Sequence, residues 1–140
     1  SGYKKAIEEF GEGDEIVIFT NEYTVEEGYE IGKDILKLVD EYDVSAVFCS
    51  HDELAIGLIN FLHDKNIRVP QDISVAGYGD IKIASVFRPE LTTIKEPHYD
   101  MGAVAIRRII KELKGEEIDK TQIKLPFQIV KRGSCEKVEC

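Results

Sequence analysis

A chain of 140 residues has room for one domain with a hydrophobic core of its own. With 43% hydrophobic and 32% charged residues it reads as an ordinary globular chain, and no apolar run nears the roughly 18 residues of a membrane helix, so no membrane partner is expected. A net charge of −9, with basic spots no denser than Lys4-Lys5, Arg107-Arg108 and Lys131-Arg132, excludes duplex binding by this segment, because phosphate recognition needs clustered cations.

The pattern alternates helix and strand. Tyr3 to Phe10 reads as the end of a helix, stopped by Gly11 and Gly13. Glu15 to Thr20 is a short β-rich run. Thr24-Val25-Glu26-Glu27 then has capping-box spacing, and Ile31, Ile35, Leu38, Val39 and Tyr42 continue an amphipathic helix. Val44 to Cys49 is a second strand. Ser50-His51-Asp52-Glu53 repeats the capping-box spacing, and Leu54, Ala55, Leu58, Ile59 and Leu62 extend a helix that Asn66 and Pro70 end. Ile73 to Tyr78 is a third strand, followed by Gly79-Asp80 and a short irregular helix, and Leu91 to Lys95 a fourth. Pro97 and His98 open a longer helix with Met101, Ala105, Ile109 and Leu113 on one stripe and Gly115 as its stop. Gln122 to Lys131 reads as a terminal strand that Pro126 confines to an edge or a bulge.

This alternation predicts an α/β fold, a three-layer parallel sheet with helices on both faces. Right-handed crossovers bring the C-terminal ends of parallel strands to one edge, where ligands of such sheets sit. Asn21 to Tyr23, Ser50 to Asp52 and Tyr78 to Asp80 are the segments nominated. Three cysteines, an odd number, argue against a disulfide framework and fit a reducing cytoplasm. Cys49 lies in an apolar run as a small core residue, while Cys135 and Cys140 sit in a polar tail as free thiols.

Catalytic patterns are missing. His51-Asp52-Glu53 places an imidazole beside two carboxylates, but no second His follows before His63, as a zinc protease helix would require. There is no Gly-x-Ser-x-Gly elbow, no phosphate-binding loop and no Pro-Cys-x-x-Cys pair. Gly77-x-Gly79 lacks the third glycine of a dinucleotide site. Asp52 and Glu53 suit the first turn of a helix on electrostatic grounds alone. Neither an enzyme nor a cofactor is expected.

Five segments, in order, carry a more specific signal. Gly2-Tyr3-Lys4-Lys5-Ala6-Ile7, Ser45 to Gly57, Val69-Pro70-Gln71-Asp72-Ile73-Ser74-Val75-Ala76-Gly77-Tyr78-Gly79-Asp80, Pro89-Glu90-Leu91-Thr92-Thr93-Ile94 and Val130-Lys131-Arg132-Gly133-Ser134 resemble motifs of the lactose-repressor/galactose-repressor family of bacterial transcription regulators. The resemblance covers essentially the whole chain. It implies the C-terminal part of a type I periplasmic-binding-protein-like effector domain, residues 1–140, with 97–115 as a crossover helix belonging to the N-terminal subdomain. The DNA-binding headpiece would lie outside this chain.

What the resemblance implies for function is binding of a sugar-like small-molecule effector, homodimer formation and allosteric control of operator DNA through that headpiece, in the cytoplasm. The alternative with the same fold is the solute-binding receptor of a sugar transporter. Carried over position by position, the ligand-binding residues are Tyr23, His51, Asp52, Gly79, Asp80 and His98. Tyr23 falls where the family places an aromatic that stacks on a sugar face. His51 stands where Asn is common, Gly79 where an Asp often takes sugar hydroxyls, and His98 where an apolar aromatic is frequent. These departures point away from a simple hexose, toward a metabolite whose negative charge a protonated His could meet. Ile81 to Phe87 and the outer face of the Leu54 helix are the expected dimer surface, with Val86 and Phe87 exposed.

Overall fold

The computed structural model describes residues 2–11, 16–116 and 122–137. In chain order they form α1 (Gly2–Phe10), α2 (Val25–Glu30), α3 (Gly32–Tyr42), β1 (Ala46–Phe48), α4 (Asp52–Asp64), β2 (Ser74–Tyr78), a 3₁₀ turn (Lys82–Ser85), β3 (Thr92–Lys95), α5 (His98–Leu113) and β4 (Gln128–Val130). The sheet order is β1-β2-β3-β4. The first two pairings are parallel, and β4 joins antiparallel at the edge. The α/β class and the parallel-led sheet are as expected, and Pro126 does lie just outside a short edge strand.

Register explains the layering. Val47 pairs with Val75, Gly77 with Thr93 and Thr93 with Val130, so these residues share one sheet face. Helix α4 lies on that face and buries Leu54, Ala55, Leu58, Phe61 and Leu62 against Ile73, Val75 and Leu91. Helix α2 packs tightly on α4 because the contact is lined by glycine: a Cβ at Gly57 would collide with the Val25 carbonyl, and one at Gly28 with Leu54 backbone. The opposite face carries Phe48 and Ile129, each about half exposed. Helices α1 and α5 bury no residue.

Three local expectations are corrected. The amphipathic helix after Thr24 is two helices, with Ile31 as C-cap of one and N-cap of the next. Ile16 to Thr20 belongs to no strand, and Phe19 is 91% exposed, while Glu15 lies outside the described residues. A strand exists only through a ladder partner, and this run pairs with none of the four strands. Phe87, expected on the surface, is half-buried and packs against the core, leaving Ile83 and Val86 as the exposed apolar residues of that turn. No described helix is long and apolar enough to cross a membrane.

Stops behave as predicted. Gly11 N closes on the Ile7 carbonyl, Asn66 adopts φ 60 after α4, and Gly115 adopts φ 70 after α5. Gly13 and Cys140 lie outside the described residues. Cys49 is buried as a core residue, and Cys135 is half-buried with its thiol on the Val75 carbonyl.

Candidate functional site

Parallel β1, β2 and β3 end together at Phe48, Tyr78 and Lys95. The chain leaving β1 is held to the sheet by Cys49 N on the Ala76 carbonyl, and His51 then enters α4 in extended conformation, φ −144. Tyr23 reaches this edge from the loop before α2. Its ring stacks on His51, centroids 4.0 Å apart and planes 20° from parallel. Tyr23 is 58% exposed, so one face of the pair meets solvent. Ser50 Oγ lies 3.2 Å from His51 Nδ1. The first two nominated segments therefore meet, although the run before Tyr23 forms no strand.

The loop before α2 is ordered by the first capping box. Thr24 Oγ1 accepts from Glu27 N at 3.1 Å, the N-cap half of the box, while the Glu27 carboxylate accepts from Asn21 N at 3.3 Å instead of from the cap residue's own N. The second box, at Ser50, does not form. His51 is the N-cap of α4 and makes no side-chain cap.

Asp52 faces inward. It is 0% exposed, with Oδ1 accepting from the Thr93 hydroxyl at 2.5 Å and Oδ2 from Ile81 N at 2.9 Å. Gly77 makes the room for it: a Cβ there would collide with Asp52 Oδ1. Cys49, three residues earlier, has its thiol pushed up to about 12, first by burial and then by the Asp52 charge.

Gly79 (φ 128) and Asp80 (φ 54) make the turn out of β2 in left-handed backbone. Asp80 is mostly buried, and its Oδ1 accepts from Arg132 Nη2 at 2.6 Å. Lys95 Nζ stands 3.6 Å from the other oxygen. Tyr78 donates its hydroxyl to Glu96 at 2.8 Å, and that bond raises the phenol above its usual 10. His98, at the start of α5, lies 3.8 Å from Glu96 on an exposed side chain. It belongs to this carboxylate's surroundings rather than to the Tyr23–His51 stack.

Thr93 and Arg132 join this edge although no motif in the sequence marks them as site residues. A threonine pair in an otherwise apolar strand was the available sign for Thr93, and for Arg132 the only sign was its place in the closing motif. Among the described residues no group of three His, Cys, Asp or Glu side chains could hold a metal ion. A cavity of about 660 Å³ lies instead at the far end of α4, lined by Ile59, His63, Asn66, Arg68 and Phe87. It is remote from the strand edge that gathers the stacked rings.

Comparison with known proteins gives a consistent picture. The model of the periplasmic binding protein-like domain family matches residues 1–135. The HTH-type transcriptional regulator RegA of Clostridium saccharobutylicum is 39% identical over 134 residues, 95% of this chain and 40% of that protein. Among solved structures, transcription regulator CcpA of Lactococcus lactis superposes with a TM-score of 0.81 at 31% identity, over 96% of this chain and 49% of that one. A LacI family transcriptional regulator from Enterococcus faecium, solved with bound ribose, gives 0.82 at 26% identity, over 99% and 51%. The chain thus spans between two fifths and about half of these three proteins.

Proposed function

The chain belongs to the periplasmic-binding-protein-like domain family, within the branch formed by LacI-family regulators, and from that premise we propose that it is the C-terminal part of a sugar-responsive effector domain. The observation that carries this reading is the Tyr23–His51 stack at the shared C-terminal edge of the parallel strands. A half-exposed aromatic pair gives a sugar face or another flat ligand a surface to lie on, worth about 0.5–1.5 kcal/mol. Tyr23 and His51 are the contacting side chains of the stack, His98 would reach the ligand from its separate place beside Glu96, and Gly79 leaves the edge open for close approach. Asp52 and Asp80 serve the site as its frame, since their carboxylates are committed to Thr93, Ile81 and Arg132.

In the parent protein, α5 would cross to the other subdomain, residues 97–115 belonging there. Ligand closure would then bias operator binding by a headpiece outside this chain, a coupling between two states in a cytoplasmic homodimer. The dimer surface in this reading is the turn around the exposed Ile83 and Val86.

The test is a titration of the isotope-labelled chain with D-ribose, sucrose and a free nucleobase, followed by amide shifts. At least one ligand is expected to move Tyr23, Ser50, His51, Gly79 and Ile81 together, and Tyr23→Ala to weaken it up to about tenfold. Shifts confined elsewhere, or none with any of the three, would sink the reading. For the dimer, Val86→Glu should yield a monomer by sedimentation, and a variant that sediments unchanged removes that face from consideration.

A further inference from the structure

The turn out of β2 is held by four residues from three places: β3, the start of α4 and the segment after β4. Gly79 N donates to the Ile94 carbonyl at 2.8 Å and Ile81 N to Asp52 Oδ2 at 2.9 Å. Between them Asp80 N reaches Thr93 Oγ1 only at 3.4 Å. Asp80 itself has φ 54, in the left-handed region that L side chains enter at a cost and that Asp tolerates better than most. Its side chain is fixed by Arg132, 52 positions further along the chain.

Arg132 is built to do this. Its side chain is 14% exposed; Nη2 donates to Asp80 Oδ1 at 2.6 Å and Nη1 to the Leu91 carbonyl at 2.8 Å. Its backbone N donates to Thr92 Oγ1 at 2.9 Å. Two residues later the buried Ser134 hydroxyl donates to the Val75 carbonyl and accepts from Thr92 N at 2.9 Å. The root of Arg132 is therefore pinned to β3 and β2, while its head clasps the turn. A planar fork reaching two acceptors in different directions is what a guanidinium provides and an ammonium does not. Lys95, at 3.6 Å and on a half-exposed side chain, is too distant to replace it.

We infer that Arg132 is a positioning residue for the ligand edge: by clasping Asp80 it holds the Gly79-Asp80-Ile81 turn in its left-handed shape, so the segment that follows β4 sets the form of the edge at the end of β2. The functional meaning rests on the proposed ligand reading, but the clasp is a property of the ligand-free chain.

Amide hydrogen exchange of the whole chain without ligand tests it. Arg132→Gln is expected to speed exchange at Gly79 and Ile81 about tenfold or more, while Leu58, Ile59 and Leu62 in α4 keep their protection. Arg132→Lys, which keeps the charge but not the fork, should fall between the two. Asp80→Ala, which removes the acceptor, should reproduce the Gln pattern from the other side, and it carries the comparison if the Gln variant does not fold. Unchanged protection at Gly79 and Ile81 would overturn the inference. So would an equal loss throughout α4, which would make Arg132 a general stabiliser. Because no ligand is present, failure of the effector reading appears only in the titration and leaves this outcome untouched.

Discussion

Helices α4 and α5 look alike in sequence and differ in the fold. Each has apolar residues at spacings of three and four, yet α4 buries most of its 13 residues while α5, with 16, buries none. Ile109 and Leu113 of α5 are 52% and 81% exposed, whereas Leu58 and Leu62 of α4 are fully buried. Periodicity states that a helix has an apolar face; it does not state what covers that face. In α4 the cover is supplied by β2, by α3 and by the glycine-lined contact with α2.

The sharpest way to break this contrast is truncation on both helices. Phe61 touches the Tyr29 ring edge-on and sits over Gly32. Phe61→Ala should cost about 3–5 kcal/mol, whereas Leu113→Ala should stay within about 0.5 kcal/mol, both read from urea unfolding of the chain. Similar losses for the two would mean that the stripe of α5 is covered after all.

A smaller effect is expected where α4 meets the ligand edge. Asp52→Ala takes the acceptor from the buried Thr93 hydroxyl, at about 1–3 kcal/mol, and from Ile81 N, which is only part-buried and can turn to water. Asp52→Asn, which keeps one acceptor, should cost less. If alanine proves as stable as the native chain, the buried carboxylate is not what ties β3 and the 3₁₀ turn to α4.

The same region shows how far the amino-acid order could be read. Thr24 and Ser50 carry the same capping-box spacing, but only Thr24 caps. The difference lies at Asp52, whose bonds to Thr93 and Ile81 are long-range. They turn the start of α4 inward, and no local pattern contains them. Local signals were reliable where the partner is local: the stops at Gly11, Asn66 and Gly115 are in place. They failed where a partner lies elsewhere, as for the run ending at Thr20, which finds no ladder. The shared edge of parallel strands accounts for where His51 and the 78–80 turn lie; Tyr23 meets His51 although the run before it joins no strand, so its arrival there is not explained by that rule. Arg132 reaches Asp80 across 52 positions, and its role could be seen only in three dimensions.

The mildest probe lies on the far side of α4, in the turn that leads into β2. There Asp72 accepts from Arg68 three times, from the backbone N at 2.7 Å and from Nε and Nη2 at 2.9 and 2.6 Å. The Arg68 side-chain bonds, then its backbone N, hold the Asp72 carboxyl down from 3.8 to about 2. The folded state thus favours the ionised form, so this clasp stabilises above pH 3.8 and its contribution is lost as pH falls toward 2. Both side chains are substantially exposed, so water and salt screen the pair. A melting curve taken across that interval should fall more steeply for the native chain than for Asp72→Asn, and the gap should narrow in 1 M salt. Parallel acid limbs would mean that the turn holds its shape without the ion pair. The entry to β2 would then depend on the packing of Ile73 and Val75 beneath α4, which would make the buried side of this helix still more dominant over its exposed surroundings.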